Sequence, residues 1–468
     1  MLFSSMTFIY IFLPIVATLY LLVRKDLQNY ILLAASILFY AWGEPRYLAI
    51  MLLTIIVNYA GANFISQTHK PTRRRILLAL TILANLSFLF YFKYFNFMIE
   101  NVNELFSFKF NTIKVIMPIG ISFYTFQALS YVVDVYRKDV KAQKDIYKLA
   151  LYICLFPQLI AGPIVKYHDI GEQIDNRDVT FDKVVYGIKR FIIGLSKKML
   201  LANTLGAVAD KIFEQPIEQF NALTAWIGAG AYTFQLFYDF SGYSDMAIGL
   251  GFIFGFKFLE NFNYPYISKS ISEFWRRWHI SLSTWFKEYL YIPLGGNRVS
   301  KLRNCFNLLV VFLVTGVWHG AAWNFVFWGL WHGVFIVFEK LTGWDRRKTG
   351  WKTNFLQHVY CLFVVVIGWV MFRADNMAYA WNYIKNMFGF AGRHKIVYEM
   401  AYYVDNVEIL AFIAAVLCSM PIFGKMLQIK YERKILRTIV NVWLIFLFLL
   451  STICIAASTY NPFIYFRF

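Results

Sequence analysis

Three of the seven histidines in this sequence lie where tryptophans and polar residues alternate with apolar ones. They are His279, His319 and His332. An ionisable side chain costs much free energy in apolar surroundings, so one that lies there is usually functional. We expect function first at His319, then at His279 and then at His332. In the alternative interpretation, these rings have no catalytic role and only form hydrogen bonds between helices. The other four lie in polar loops or beside apolar runs and are set aside: His69, His168, His358 and His394.

A neutral imidazole is suited to the role of general base. Its ordinary pKa is about 6.5, and apolar surroundings favour the uncharged form, which accepts a proton. His319 would take the proton of an acceptor hydroxyl as that oxygen attacks an activated acyl carbonyl, an effect typically worth about 10² to 10⁴ in rate. The protein then needs no nucleophile of its own. Asn324, or the backbone amides near Gly320, would hydrogen-bond the oxyanion that forms.

Other classes of function compete with this interpretation. The histidine gaps of 40 and 13 residues match neither HExxH nor a facial triad, so we predict no metal. A transporter or lipid flippase would explain Asp239 and Asp245, since buried carboxylates mark ion pathways, but we find no inverted repeat. In the structural alternative, these carboxylates pair with Arg276 or Arg277. A scaffold without enzymatic activity is a further hypothesis, and it predicts that His319 is dispensable.

Membrane helices must position these residues. The sequence is 59% hydrophobic and only 16% charged, whereas a soluble domain is about 25% charged. Apolar runs of about 20 residues, the length that crosses a bilayer, recur along the chain. The first, Met6 to Val23, lacks the features of a removable signal peptide and is expected to persist. We predict an all-α, polytopic membrane protein with one domain over 1–468, a motif-bearing core at about 113–340 and C-terminal helices at 355–457.

Basic residues predict the orientation of these helices. The net charge is +19, and Lys and Arg form short clusters beside apolar runs, as the positive-inside rule expects. We therefore expect anionic lipid headgroups as partners, and no nucleic acid. If these clusters are cytoplasmic, the N-terminus, residues 374–407 and the C-terminus lie outside. The basic clusters are at 24–25, 70–75, 137–148, 346–348 and 430–434.

The apolar run before His319 is shorter than a full span. Cys305 to Trp318 has 14 residues, about 21 Å as a helix, and the small residues of WHGAAWN then favour a turn. We predict a helical hairpin whose tip lies inside the membrane, with Phe325 to Glu339 as its second arm. Irregular backbone at that depth is tolerated only when it is buried in protein or lines a wet cavity. His319 should therefore lie in a cavity or tunnel.

Residues 266–294 differ because charged side chains interrupt a series of aromatics. This pattern is typical of an amphipathic segment at the membrane interface. Arg276, Arg277 and Asn297, in or near this segment, are candidates for binding the phosphates of an acyl donor. Arginines on an interfacial helix more often bind lipid phosphate, and we favour that alternative.

Seven motifs, taken in order along the chain, resemble those of a known family. They are MPIGISFYTFQ from Met117, YVVDVYR from Tyr131, FPQLIAGPIVKY from Phe156, FYDFSGYSDMAIGLG from Phe237, FWRRWHISLSTWF from Phe274, YIPLGGNR from Tyr291 and TGVWHGAAWNFVFWGLWHG from Thr315. Together they are similar to the alginate O-acetyltransferase branch of the membrane-bound O-acyltransferase (MBOAT) family. The similarity extends to about Glu339, after which only the hydropathy is similar.

The resemblance and the apolar runs imply about 11–13 transmembrane or re-entrant helices around a central tunnel. On the family pattern His319 in WHG is the catalytic histidine, and His279 in RRWH is the second, tunnel-lining one. Such proteins are expected to take acetyl from acetyl-CoA, without a permanent cofactor, at the cytoplasmic face of a bacterial inner membrane. They pass it outward to alginate-like polysaccharide or peptidoglycan, typically through an extracytoplasmic acetyltransferase partner. A related branch transfers D-alanine to teichoic acids, and the sequence leaves the acceptor open.

Overall fold

The computed structural model describes residues 1–160, 162–346, 350–390, 396–422, 434–458 and 460–464. Helices dominate this part of the chain, which contains no β-strand. Seven of its helices are long and apolar enough to cross a membrane, and two others, Phe8–Leu22 and Asn406–Cys418, are apolar but shorter. The prediction of an all-α, polytopic membrane protein is confirmed.

Several sequence predictions fall outside the described residues. They concern Arg347 and Lys348, the basic residues at 430–433, His394 and the C-terminal residues 465–468. The inside or outside location of the basic loops also stays a prediction.

The first compact unit comprises residues 1–191 and 243–260. Its helices are α1 (Leu13–Leu22), α2 (Gln28–Gly43), α3 (Leu48–Gln67), α4 (Pro71–Leu89), α5 (Phe95–Phe106), α6 (Ile121–Arg137), α7 (Ile146–Cys154), α8 (Phe156–Leu159), α9 (Tyr167–Asp175) and the first part of α10 (Phe181–Ser196). The mostly buried α6 packs against α3 and α4. Buried Asn58 and Asn85 join α3 to α4 through reciprocal amide hydrogen bonds of 2.8 and 3.0 Å. Such pairs hold helices together inside a membrane.

The second compact unit comprises residues 192–242 and 261–468 and contains all three candidate histidines. Its described helices are α11 (Asn203–Phe213), α12 (Ala222–Ile253, whose end belongs to the first unit), α13 (Ile271–Arg277), α14 (Ile280–Phe286), α15 (Lys301–His319), α16 (Trp323–Thr342), α17 (Trp351–Arg373), α18 (Met377–Met387), α19 (Met400–Tyr403), α20 (Asn406–Cys418) and α21 (Lys434–Ala457).

The predicted helical hairpin is present as α15 and α16, which are joined by three residues. The helices approach backbone to backbone, because a Cβ atom at Gly316 would overlap the carbonyl oxygen of Phe325, and one at Gly329 would overlap that of Phe312. The prediction that the first arm is too short to cross the membrane was wrong. The polar turn that begins at Lys301 is also helical, so α15 has 19 residues and is about 28 Å long. This length suits a full span, and an intramembrane tip remains a prediction.

The predicted amphipathic segment at 266–294 is instead broken into short helices. Two of these, α13 and α14, meet at His279, whose φ of 44° and ψ of 55° are left-handed. Phe274, Trp275 and Trp278 are buried in the protein core. These aromatics therefore pack against other helices, and the location of the segment at the membrane interface stays a prediction.

The two carboxylates that suggested a transporter are both in ion pairs. Asp239 lies 2.6 Å from the Lys198 ammonium, and both side chains are buried. Asp245 lies 2.6 Å from the Arg190 guanidinium. The predicted pairing of these carboxylates with Arg276 or Arg277 was wrong. Their partners are instead Arg190, in α10, and Lys198, just after it.

Candidate active site

His319 is the last residue of α15 and lies at the turn of the hairpin. Its side chain is buried and is enclosed by aromatic rings of three helices: Trp318 at 4.9 Å, Trp328 at 5.1 Å and Phe372 at 5.1 Å between ring centroids. Helices α15, α16 and α17 thus position this imidazole together.

His279 occupies the break between α13 and α14 and is also buried. Its Nδ1 lies 3.1 Å from Oδ1 of Asn261. The ring contacts Phe240 at 4.6 Å and Trp318 at 6.4 Å between centroids. Since Trp318 also contacts His319, the structure brings the two predicted catalytic histidines to one indole ring.

His332, on α16, is fully buried among the indole rings of Trp275, Trp328 and Trp369. Trp328 is also one of the rings that enclose His319. The three histidines therefore belong to one aromatic cluster. Neither nitrogen of His332 has a hydrogen-bond partner among the described residues.

Comparisons with known proteins identify the family of this chain. The sequence profile of the family described as "MBOAT, membrane-bound O-acyltransferase family" matches residues 73–381, which include His279 and His319. This match covers more than half of the chain. The chain belongs to the MBOAT family. It is therefore a multi-pass membrane O-acyltransferase.

Three relatives show how the similarity to other MBOAT proteins is distributed. A probable alginate O-acetylase of Pseudomonas putida is 39% identical over 100% of both chains. A peptidoglycan O-acetyltransferase of Helicobacter pylori is 36% identical over 84% of this chain and 80% of its own. A teichoic acid D-alanyltransferase of Streptococcus thermophilus is 31% identical over only 50% of this chain and 61% of its own. The resemblance inferred from the motifs is confirmed.

Asn324 is buried near the hairpin turn of this MBOAT chain. Its amide nitrogen donates to the carbonyl oxygens of Ala374 at 2.8 Å and Met371 at 3.4 Å. These bonds attach the start of α16 to the C-terminal end of α17. The amide donors are thus engaged with backbone, which differs from the predicted role of stabilising an oxyanion.

The candidate phosphate ligands lie outside the buried aromatic cluster. Arg276 and Asn297 are exposed. Arg277 is half-buried, pairs with Glu273 at 2.9 Å and donates to the carbonyl of Asn263 at 3.1 Å. Arg276 and Asn297 are therefore accessible to an anion from the surface, whereas Arg277 already has a carboxylate partner.

Glu339 is a buried carboxylate that our sequence analysis missed. It accepts hydrogen bonds from the backbone N–H groups of Ile271 and Ser272, at 2.5 and 2.9 Å, and from the Ser272 hydroxyl at 2.7 Å. The carboxylate at the end of α16 therefore caps the first turn of α13, the helix that ends beside His279. An acidic residue within the last apolar run of the motif region was the available signal.

A cavity of about 70 Å³ is lined in part by Arg373, the residue after Phe372. Arg373 and Asp210, which line it, form an ion pair of 2.7 Å. The Tyr460 hydroxyl donates to the same carboxylate at 2.6 Å. The sequence offered no signal for this contact, because Tyr460 lies 250 residues from Asp210.

Proposed function

We propose that this MBOAT protein moves acetyl groups from acetyl-CoA at the cytoplasmic face of a bacterial inner membrane to an extracytoplasmic polysaccharide. The acceptor would be an alginate-like exopolysaccharide or peptidoglycan, reached through an extracytoplasmic acetyltransferase partner. The alginate and peptidoglycan relatives support this proposal, since they match most of this chain. His319 acts as the general base, and His279 assists it.

The shared contact of His279 and His319 with Trp318 carries this proposal. Two buried imidazoles in contact with one ring provide one group for the reacting hydroxyl and another for binding the substrate. In the reaction, the hydroxyl oxygen bonds to the acyl carbon, and its proton passes to His319. The carbon–sulfur bond breaks, and the thiolate then takes a proton from the imidazolium.

The aromatic walls have a second role in this mechanism. A thioester is open to attack by water, and a site that excludes water prevents this side reaction. Trp318, Trp328 and Phe372 cover the faces and edges of His319 with apolar atoms. We therefore expect transfer to exceed hydrolysis whenever the acceptor is present.

Arg276 and Asn297 are proposed to meet phosphates at the entrance, either of the acyl donor or of lipid headgroups. Their exposure allows both. Arg277 contributes less charge, because it is paired with Glu273.

The test is acyl transfer by purified protein in nanodiscs with the extracytoplasmic partner. Radiolabelled acetyl-CoA and a D-alanyl thioester on a carrier protein are compared as donors. We expect label to reach the partner from acetyl-CoA with wild type and with the exposed-site control His69→Ala, but not with His319→Ala.

Preferential use of the D-alanyl donor would move the chain to the D-alanyl branch. Hydrolysis without transfer by wild type, or full activity of His319→Ala at matched thermal stability, would contradict the proposal.

A further inference from the structure

The side-chain amide of Asn261 contacts both His279 and Ser281, which lies in the first turn of the next helix. Its Oδ1 lies 3.1 Å from Nδ1 of His279, 3.2 Å from the backbone nitrogen of Ser281 and 2.9 Å from the Ser281 hydroxyl. All of these groups are buried. One side-chain oxygen therefore gathers several donors beside a candidate active-site imidazole.

The backbone of Ser281 identifies which atom of the amide faces His279. A backbone N–H can only donate, so the amide atom that it meets must be the oxygen, Oδ1. An amide oxygen can only accept. The nitrogen of His279 that lies 3.1 Å away must then carry the proton, because two facing acceptors would repel each other. The neutral imidazole is fixed as the Nδ1–H tautomer.

The same residue also holds the unusual backbone of His279. The carbonyl of Asn261 accepts from the Ile280 nitrogen at 2.9 Å, and the Asn263 nitrogen donates to the carbonyl of Arg277 at 2.9 Å. These bonds clamp the chain on both sides of the left-handed residue. Local strain of this kind persists where the surrounding structure holds it, and it is concentrated at functional sites.

The other ring nitrogen, Nε2, is left with a lone pair. It is buried and has no hydrogen-bond partner among the described residues. A buried acceptor without a partner is costly, so a substrate donor that reaches it gains more than the same contact at a surface. The acceptor hydroxyl has a single proton, which goes to His319 in the proposed reaction. The acetyl group has no N–H or O–H. The nearest donor on a pantetheine thioester is the amide N–H two carbons from sulfur.

We propose that Asn261 is a positioning residue that holds His279 as the Nδ1–H tautomer, so that Nε2 accepts a hydrogen bond from the amide N–H next to the thioester of a pantetheine-linked acyl donor. This inference rests on the proposed function. The amide is common to coenzyme A and to phosphopantetheine carriers, and the donors compared below separate these two sources. The contact sets the sulfur beside Trp318 and therefore beside His319.

The first experiment reads the tautomer directly in nanodiscs. Histidine-selective ¹⁵N spectra are recorded with and without an unreactive thioether analogue of acetyl-CoA, and the His279 signals are assigned by their absence in His279→Gln. We expect an unprotonated Nε2 in wild type, an upfield shift of that signal on binding, and loss of the single tautomer in Asn261→Leu. Asn111→Leu, the same change at an exposed asparagine of the first compact unit, is the matched control and should behave as wild type. A protonated Nε2 in wild type would overturn the inference.

The second experiment compares two small acetyl donors that differ at one atom. S-acetyl-N-acetylcysteamine has the amide N–H, whereas S,O-diacetyl-2-mercaptoethanol has an ester oxygen in its place. We expect wild type and Asn111→Leu to prefer the amide donor by about 3- to 10-fold in kcat/KM, the usual range for one hydrogen bond. Asn261→Leu and His279→Phe should lose this preference, and Asn261→Asp, which still accepts from Nδ1, should keep it.

Acetyl-CoA and an acetylated carrier protein are tested as donors in the same assay. They distinguish failure of the amide contact from failure of the proposed function. Wild type that transfers from acetyl-CoA but shows no preference between the small donors would refute the amide contact while leaving the proposed function intact. Wild type that transfers from none of the four donors would refute the proposed function, although the spectra would still decide the tautomer. Transfer from the carrier alone would identify the carrier as the source of the pantetheine arm.

Discussion

Two sets of buried polar groups in this protein differ in how their hydrogen-bonding capacity is used. Asn58 pairs with Asn85, and Lys198 pairs with Asp239, so each group has a matched partner on the protein. In the aromatic cluster, Nε2 of His279 and both nitrogens of His332 lack partners among the described residues. The first set fixes helices to each other, whereas in the second set Nε2 of His279 is the atom that we propose binds substrate.

This difference leads to opposite expectations for substitutions. A change in the paired set should act on stability and leave the intrinsic rate of the folded protein nearly unaltered. A change at His279 or His319, the two proposed catalytic histidines, should act mainly on the rate of transfer. Variants that violate this division would show that the two sets do not have separate roles.

The largest expected effect is that of His319→Ala on acetyl transfer. Removal of a general base should lower kcat by about 10²- to 10⁴-fold. Removal of the buried ring also leaves a cavity, which should lower the midpoint of thermal unfolding, so transfer is measured at a temperature where both proteins are folded. The measurement is single-turnover transfer in nanodiscs. A loss below tenfold would mean that another group takes the proton.

The largest effect on stability is expected at the Lys198–Asp239 pair. Lys198→Met leaves a buried carboxylate without its cation and should cost about 3–5 kcal/mol. Adding Asp239→Leu should recover much of this loss, because a matched apolar pair often replaces a buried ion pair without penalty. Thermal unfolding in detergent of both variants tests this. Failure of the second change to recover stability would show that Asp239 is needed for other contacts, such as that with the Ile464 nitrogen.

Glu339→Gln should lower both the stability of the protein and the rate of transfer, each by an intermediate amount. The substitution removes the charge and one acceptor oxygen from a group that receives three hydrogen bonds, at a cost of about 1–3 kcal/mol. Because α13 ends beside His279, transfer should also slow. Glu339→Asp, which keeps the charge, is expected to retain more activity than Gln. Equal activity of Asp, Gln and wild type would exclude a role for the cap in the site.

The smallest effect is expected for Asn58→Leu. Interhelical hydrogen bonds inside membranes average about 0.6 kcal/mol, and transfer by the folded protein should be unchanged. Measuring Asn85→Leu and the double variant as well completes a double-mutant cycle, which gives the interaction free energy of the pair. A tenfold loss of kcat in the single variant would contradict the division between structural and functional polar groups.

The helices that carry the site were largely predictable from apolar runs. The predicted second arm of the hairpin, Phe325 to Glu339, corresponds closely to α16, because long apolar segments have few alternatives to a helix in a membrane. The start of α15 was missed because its first turn is polar yet still helical. The break at His279 was missed because a left-handed residue leaves no periodic signal.

Contacts between distant residues were less predictable than helices. His319 and His279 were found because ionisable residues stand out among tryptophans. Their shared contact with Trp318 depends on how α13 packs beside α15, which no local pattern encodes. Similarly, the cation partners of Asp239 and Asp245 were misassigned, since charge complementarity alone does not choose among several arginines and lysines.

The backbone contact of α15 with α16 at Gly316 and Gly329 has a mechanical consequence. Most helix pairs are separated by side chains that bend and act as springs. At these two glycines no side chain intervenes, so we expect both arms to move together when the surrounding lipid thins, thickens or changes its lateral pressure. We expect the turn that joins the two arms to keep its shape during such deformation. Adjustment to a bulkier acyl group then falls to the helices that pack around the hairpin, and first to α17, which contacts α16.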